Sequence, residues 1–121
     1  MSKEQLYIFD TTLRDGAQTQ GVDFSIDDKE KISSALDLLG VDYVEGGWPG
    51  ANPTDTEFFN KDHNFKSTKL TAFGMTKKSE HSAENDPMLS SLINSKSSSV
   101  CLFGKSWDFQ VKVALGITYD E

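Results

Sequence analysis

The sequence predicts an α/β fold built from about four consecutive βα units, the first part of a (β/α)8 barrel. Two observations carry this reading. Short apolar runs alternate with segments of helical periodicity at a spacing of roughly thirty residues, the length of one strand–helix repeat. Each apolar run also ends in polar or glycine residues, so parallel strands with right-handed crossovers bring their loops to one rim. A four-stranded open α/β sheet is the structural alternative.

Taken in order, Leu6-Tyr7-Ile8-Phe9 reads as a buried strand that breaks into Asp10-Thr11-Thr12-Leu13-Arg14-Asp15-Gly16-Ala17-Gln18. Ser25 with Asp28 three residues on forms a capping box, and Ile32, Ala35, Leu36 and Leu39 recur at helical spacing before a stop at Gly40. Val41-Asp42-Tyr43-Val44 opens a second strand, ending in Glu45-Gly46-Gly47-Trp48-Pro49-Gly50. Thr54 and Glu57 read as a second capping box, starting a helix near Asp55 that turns Phe58 and Phe59 inward. Lys69 to Phe73 is a third strand. A shorter helix runs through Met88, Leu89, Leu92 and Ile93 with Pro87 in its first turn. Val100 to Phe103 is the fourth strand, and Phe109, Val111, Val113, Ala114 and Leu115 predict a last helix stopped by Gly116.

Composition narrows the function classes. The 121 residues make one domain or part of one, and 36% hydrophobic content is enough for a core. A net charge of −7 argues against capture of nucleic acid or of an anionic membrane, both of which need a basic face. No apolar run approaches the length of a membrane span, and Met1 to Gln5 has no signal-peptide character, so a cytoplasmic protein is expected. Cys101 is the only cysteine, which rules out an internal disulfide; it reads as a small buried hydrophobe. Neither a G-x-G-x-x-G turn nor a G-x-x-x-x-G-K-[ST] loop is present.

The polar burst after the first strand is the candidate site, because catalytic groups on such scaffolds gather at the carboxyl ends of strands. Its alternative is a surface turn with a capping Thr or Asp. Arg14 could neutralise an oxyanion or grip a substrate carboxylate, and Asp15 could bind a divalent cation, provided a bend near Gly16 brings the two together. Glu45, at the end of the next strand, could face the same mouth or serve as an internal partner for a Lys or Arg. His63 and His81 read as solvated loop residues, the Lys77–Lys78 pair as solvated, and Trp48 and Trp107 as covers for the core or rim.

The run Asp10 to Gln18 resembles the signature of the Claisen-condensing acyltransferases, the 2-isopropylmalate, homocitrate and citramalate synthases, with the related 3-hydroxy-3-methylglutaryl-CoA lyase. Tyr43 to Pro53, Leu70 to Gly74 and Phe103 to Asp108 are similar to the citramalate synthase branch in particular. The resemblance implies the N-terminal half of a catalytic TIM barrel, spanning residues 1–121, that condenses acetyl-CoA with a 2-oxo acid on a divalent metal (Mg, Mn or Zn). Pyruvate would be the 2-oxo acid, giving citramalate for isoleucine biosynthesis. It further implies that Arg14 stabilises the enolate or carbonyl oxygen, Asp15 is a metal ligand, Gln18 lines the substrate pocket and Glu45 is a catalytic neighbour. The family's late H-x-H metal pair is absent here, so the remaining ligands are expected off this chain, the isolated chain is expected to be inactive, and the full-length parent is expected to be a homo-oligomer. A carbon–carbon lyase of the same superfamily, or a non-catalytic half-barrel interaction module, are the alternatives.

Overall fold

Residues 2–121 are described by a computed structural model. Its strands are β1 (Phe9–Asp10), β2 (Tyr43–Gly47), β3 (Lys69–Met75) and β4 (Ser99–Phe103). Its helices are α1 (Ile26–Leu39), α2 (Pro53–Asn60), α3 (Pro87–Asn94) and α4 (Asp108–Gln110), the last continued by a π-wound turn (Val111–Leu115). The four strands form one sheet in the order β1-β2-β3-β4, every neighbouring pair parallel. Strand order that follows chain order without reversal is the order of a barrel; a doubly wound sheet reverses it. The fold class is therefore that of a partial (β/α)8 barrel.

The core lies between the sheet and α1 to α3, around Leu13, Val41, Val44, Phe58, Phe59, Leu70, Ala72 and Leu92. Helix ends follow local chemistry. Ser25 and Asp28 complete the capping box of α1, and Gly40 ends that helix in the left-handed region at φ 88°. Asp86 caps α3 ahead of Pro87.

Several expected details are corrected. The residues Leu6 to Phe9 are not a buried strand: only Phe9 and Asp10 pair with β2, and Leu6 is 84% exposed. Among the described residues β2 flanks this segment on one side and no strand flanks the other, so it is a sheet edge. Helix α1 does not bury Ala35 or Leu39; its innermost residues are Lys29, Ser33 and Asp37, with Ile32 and Leu36 half-buried. Helix α2 starts at Pro53, because Asn52 accepts from the Asp55 N–H and supplants the expected Thr54–Glu57 box; Phe58 and Phe59 do face inward. In the final helix, Phe109, Val113, Ala114 and Leu115 are exposed rather than packed.

Two buried carboxylates fasten loops to helices. Asp37 accepts from the backbone N–H groups of Lys66, Ser67 and Thr68 at 2.8, 3.0 and 2.9 Å, which holds its carboxyl well below the usual carboxylate range. Asp86 accepts from the N–H groups of Lys78, Met88 and Leu89, and the Lys78 bond above all brings its carboxyl down to about 2. A depressed folded-state pKa contributes stability above the unfolded value near 4 and loses it as pH falls through the folded value. The urea midpoint is therefore expected to fall steeply between about pH 4 and pH 2, and Asp86→Asn to flatten that fall; a midpoint independent of pH there contradicts the assignment.

Candidate active site at the strand ends

The chain turns sharply after β1 because one carbonyl, that of Thr11, accepts from the N–H groups of Arg14, Asp15 and Gly16 at 3.2, 2.9 and 3.1 Å. Asp10 reinforces the turn through the Thr12 N–H (3.0 Å) and hydroxyl (3.1 Å). The bend expected at Gly16 thus precedes it, and Gly16 begins a short 3-10 turn, Gly16–Gln18, without needing a left-handed conformation. The turn sends successive side chains to opposite places. Leu13 is fully buried in the core, whereas Arg14 crosses to the face of the sheet away from the helices.

There the Arg14 guanidinium lies 4.1 Å above the ring of Phe73, and its Nε donates to Glu45 Oε1. Glu45 is 1% exposed, so its charge depends on this partner. Arg14 Nη1 also approaches Asp15 Oδ1 at 3.3 Å, with the Asp15 side chain 64% exposed and the Arg14 side chain 21%. Arg14, Asp15 and Glu45 therefore meet at the carboxyl ends of β1 and β2, and Glu45 has the arginine partner that the second of its two readings expected.

The same face carries Thr71 and Ser99, which the sequence did not single out, and Trp48 and Cys101, which it read as packing residues. Thr71 stands beside Glu45 in register and its hydroxyl meets that of Ser99 at 2.6 Å. Trp48 packs edge-on against Phe73 with centroids 5.4 Å apart. Cys101 is half-buried beside Phe73 in register rather than hidden in the core; burial pushes its thiol pKa up, and the Glu45 carboxylate adds to this. A period-two reading of β3 and β4 from Thr71 and Ser99 onward would have assigned these residues to one face.

Gln18 lines an open cavity of about 430 Å³ between the β1–α1 connection and the start of α2, together with Arg14, Phe24, Trp48, Asn52 and Thr54. The floor is polar and closed. Lys29 Nζ donates to the carbonyls of Leu13 (2.9 Å) and Gly46 (2.7 Å) and to Asp55 Oδ1 (2.5 Å). Asp55 Oδ2 accepts from the Trp48 N–H and the Asn52 amide at 2.9 and 3.0 Å. The glycine pair makes room for this. A Cβ on Gly46 would meet Phe58 Cε1 at 2.7 Å, and one on Gly47, where φ is 143°, would meet Asp55 Oδ2 at 2.6 Å.

Neither histidine adds to the site. His63 is not solvated: it is half-buried, stacked on Phe65, and its Nε2 meets the Phe58 carbonyl at 2.7 Å. His81 lies 3.4 Å from Asp86. Lys77 pairs with Glu121 at 3.0 Å, and Trp107 is exposed against Phe109. Among the described residues no group of three or more His, Cys, Asp and Glu could hold a metal ion. Asp15 offers an exposed carboxylate and no second ligand of that kind stands beside it among the described residues, so these residues do not by themselves form a cation site. No helix of the described residues is long and apolar enough to cross a membrane.

A sequence profile described as HMGL-like matches residues 5–121. The (R)-citramalate synthase of Aquifex aeolicus is 51% identical over 120 residues, covering 98% of this chain and 23% of that protein. The (R)-citramalate synthase of Sulfolobus acidocaldarius is 46% identical over 123 residues, covering 100% and 24%. The 2-isopropylmalate synthase 1 of Caldanaerobacter subterraneus is 35% identical over 122 residues, covering 100% and 30%. The chain thus spans about a quarter of the length of the citramalate synthases it matches.

The burial difference within the Arg14–Asp15 pair is directly measurable. Arg14→Met strands the buried Glu45 carboxylate and is expected to cost about 2–4 kcal/mol in urea unfolding, near the lower end for breaking a buried pair. Asp15→Ala is expected to change stability by less than about 0.5 kcal/mol. Equal costs for the two variants would contradict the placement of the site.

Proposed function

The chain belongs to the HMGL-like family, and from that premise we propose that it forms the N-terminal part of a catalytic barrel that condenses acetyl-CoA with a 2-oxo acid. The observation that carries the reading is the convergence of Arg14, Asp15 and Glu45 where β1 and β2 end. The (R)-citramalate synthases among the relatives favour pyruvate as the 2-oxo acid and citramalate, on the route to isoleucine, as the product.

The residues divide the task by exposure. Glu45, buried, uses its charge to hold the Arg14 guanidinium over Phe73. Arg14 keeps N–H donors that Glu45 does not occupy, and these would serve negative charge developing on a carbonyl oxygen or enolate. Fixing such a donor beforehand lowers the barrier, because the site does not have to reorganise as charge appears. Gln18 lines the adjoining cavity, where its amide would help seat the substrate. Asp15, exposed beside Arg14, would supply one oxygen ligand to a divalent metal whose other ligands come from outside these residues. When bound, that metal supplies a Lewis acid that polarises the ketone of the 2-oxo acid. In the complete cytoplasmic protein the catalytic unit is a homo-oligomer.

The test compares two lengths of chain. Residues 1–121 alone are expected to release no CoA from acetyl-CoA and pyruvate, since the metal site is incomplete. A chain extended to the full length of its citramalate synthase relatives is expected to release CoA in a metal-dependent way, with Arg14→Ala lowering kcat by about 10²–10³-fold, the usual effect of removing an oxyanion donor. Cleavage of a 3-hydroxyacyl-CoA in place of condensation would select the lyase instead, and turnover by residues 1–121 would overturn the reading.

A further inference from the structure

The site has a second bridge beneath it. Arg14 and Glu45 join the ends of β1 and β2 on the face away from the helices. On the helix side the same two ends are joined by Lys29, whose ammonium donates to Leu13 O and Gly46 O. Leu13 O belongs to the peptide plane that carries the Arg14 N–H, and Gly46 directly follows Glu45. We propose that Lys29 is a positioning residue, setting the separation and tilt of the two peptide segments so that Arg14 and Glu45 meet.

Three features argue that this is more than a buried ion pair. The Lys29 side chain is 3% exposed, so an ammonium there must have all its donors met. It meets them with acceptors from three separate segments: the turn after β1, the end of β2 and the start of α2. An ion pair alone would need only Asp55. Asp55 in turn extends the bridge to the Trp48 N–H and to Asn52, both on the cavity wall. A planar guanidinium fork cannot aim three N–H groups from one nitrogen at three converging acceptors, so the design is specific to lysine.

The consequence for turnover rests on Arg14 and Glu45 being the reacting end of the site, but the bridge can be read in this chain without substrate. The measurement is nitrogen-15 NMR of residues 1–121. In the parent sequence, couplings across hydrogen bonds are expected from Lys29 Nζ to the carbonyl carbons of Leu13 and Gly46, and the Arg14 Nε–H is expected to exchange slowly because it donates to a buried carboxylate. Lys29→Met is expected to speed Arg14 Nε–H exchange at least tenfold while amide protection along the β3–β4 ladder, which Lys29 does not touch, stays as it was. A purely structural lysine would move both together. Should Lys29→Met not fold, Lys29→Arg, which keeps the charge and the buried stem, carries the same comparison. Missing couplings, or Arg14 exchange that only follows global stability, overturns the proposal. Failure of the proposed reaction would leave every one of these resonances unchanged.

Discussion

Burying an ammonium group costs several kcal/mol unless each of its donors finds an acceptor. Lys29 satisfies that condition by drawing two carbonyls and a carboxylate from three segments to one point, and much of the local architecture follows. The turn after β1 must come close enough to offer Leu13 O. Strand β2 must end in residues without side chains, because a Cβ at Gly46 or Gly47 would strike Phe58 or Asp55. Helix α2 must begin at Pro53, since Asn52 is both its cap and a donor to Asp55. Once these ends are gathered on the helix side, Arg14 and Glu45 lie together on the other side, with Phe73 beneath the guanidinium.

What the sequence showed depends on how local the cause was. The βα alternation, the Ser25 capping box, the stop at Gly40 and the inward Phe58 and Phe59 come from signals a few residues long, and the structure has all of them. Arg14, Asp15 and Glu45 drew notice as polar groups following strands, and Gln18 only through the family resemblance; the structure adds where each of them lies. Lys29 and Asp55 did not draw notice, because a charged residue read alone belongs on the surface, and what buries them is a partner 26 residues away. His63 was misplaced for the same reason: its cover, Phe58 and Phe65, becomes visible only once α2 and the following loop are folded. Leu6, Tyr7 and Ile8 failed in the opposite direction. Their apolar pattern describes a covered strand, but coverage depends on a neighbour, and β1 has a neighbour on one side only.

That one-sidedness recurs at the far edge of the sheet. Val100, Leu102 and Phe103 on β4, with Phe109 and Val113 beyond it, are exposed apolar residues along a strand whose outer hydrogen-bonding groups have no sheet partner. Apolar surface in this amount on both edges of a parallel sheet is what a barrel shows when only half of its wall is considered. The chemistry has the same incompleteness: Arg14 and Glu45 are finished as a pair, whereas Asp15 is a carboxylate in want of companions. Fold and site thus agree with the proposed reading, in which these residues form one wall of a condensing site.

The most direct measurement is a crystal structure of the chain extended to a full barrel, grown with Mn²⁺ and pyruvate. The account predicts anomalous density for manganese within coordination distance of an Asp15 oxygen, with the pyruvate keto group beside it and the Arg14 guanidinium, still held by Glu45, facing that group. Manganese bound elsewhere with Asp15 left in solvent, or pyruvate on a different strand end, would contradict it.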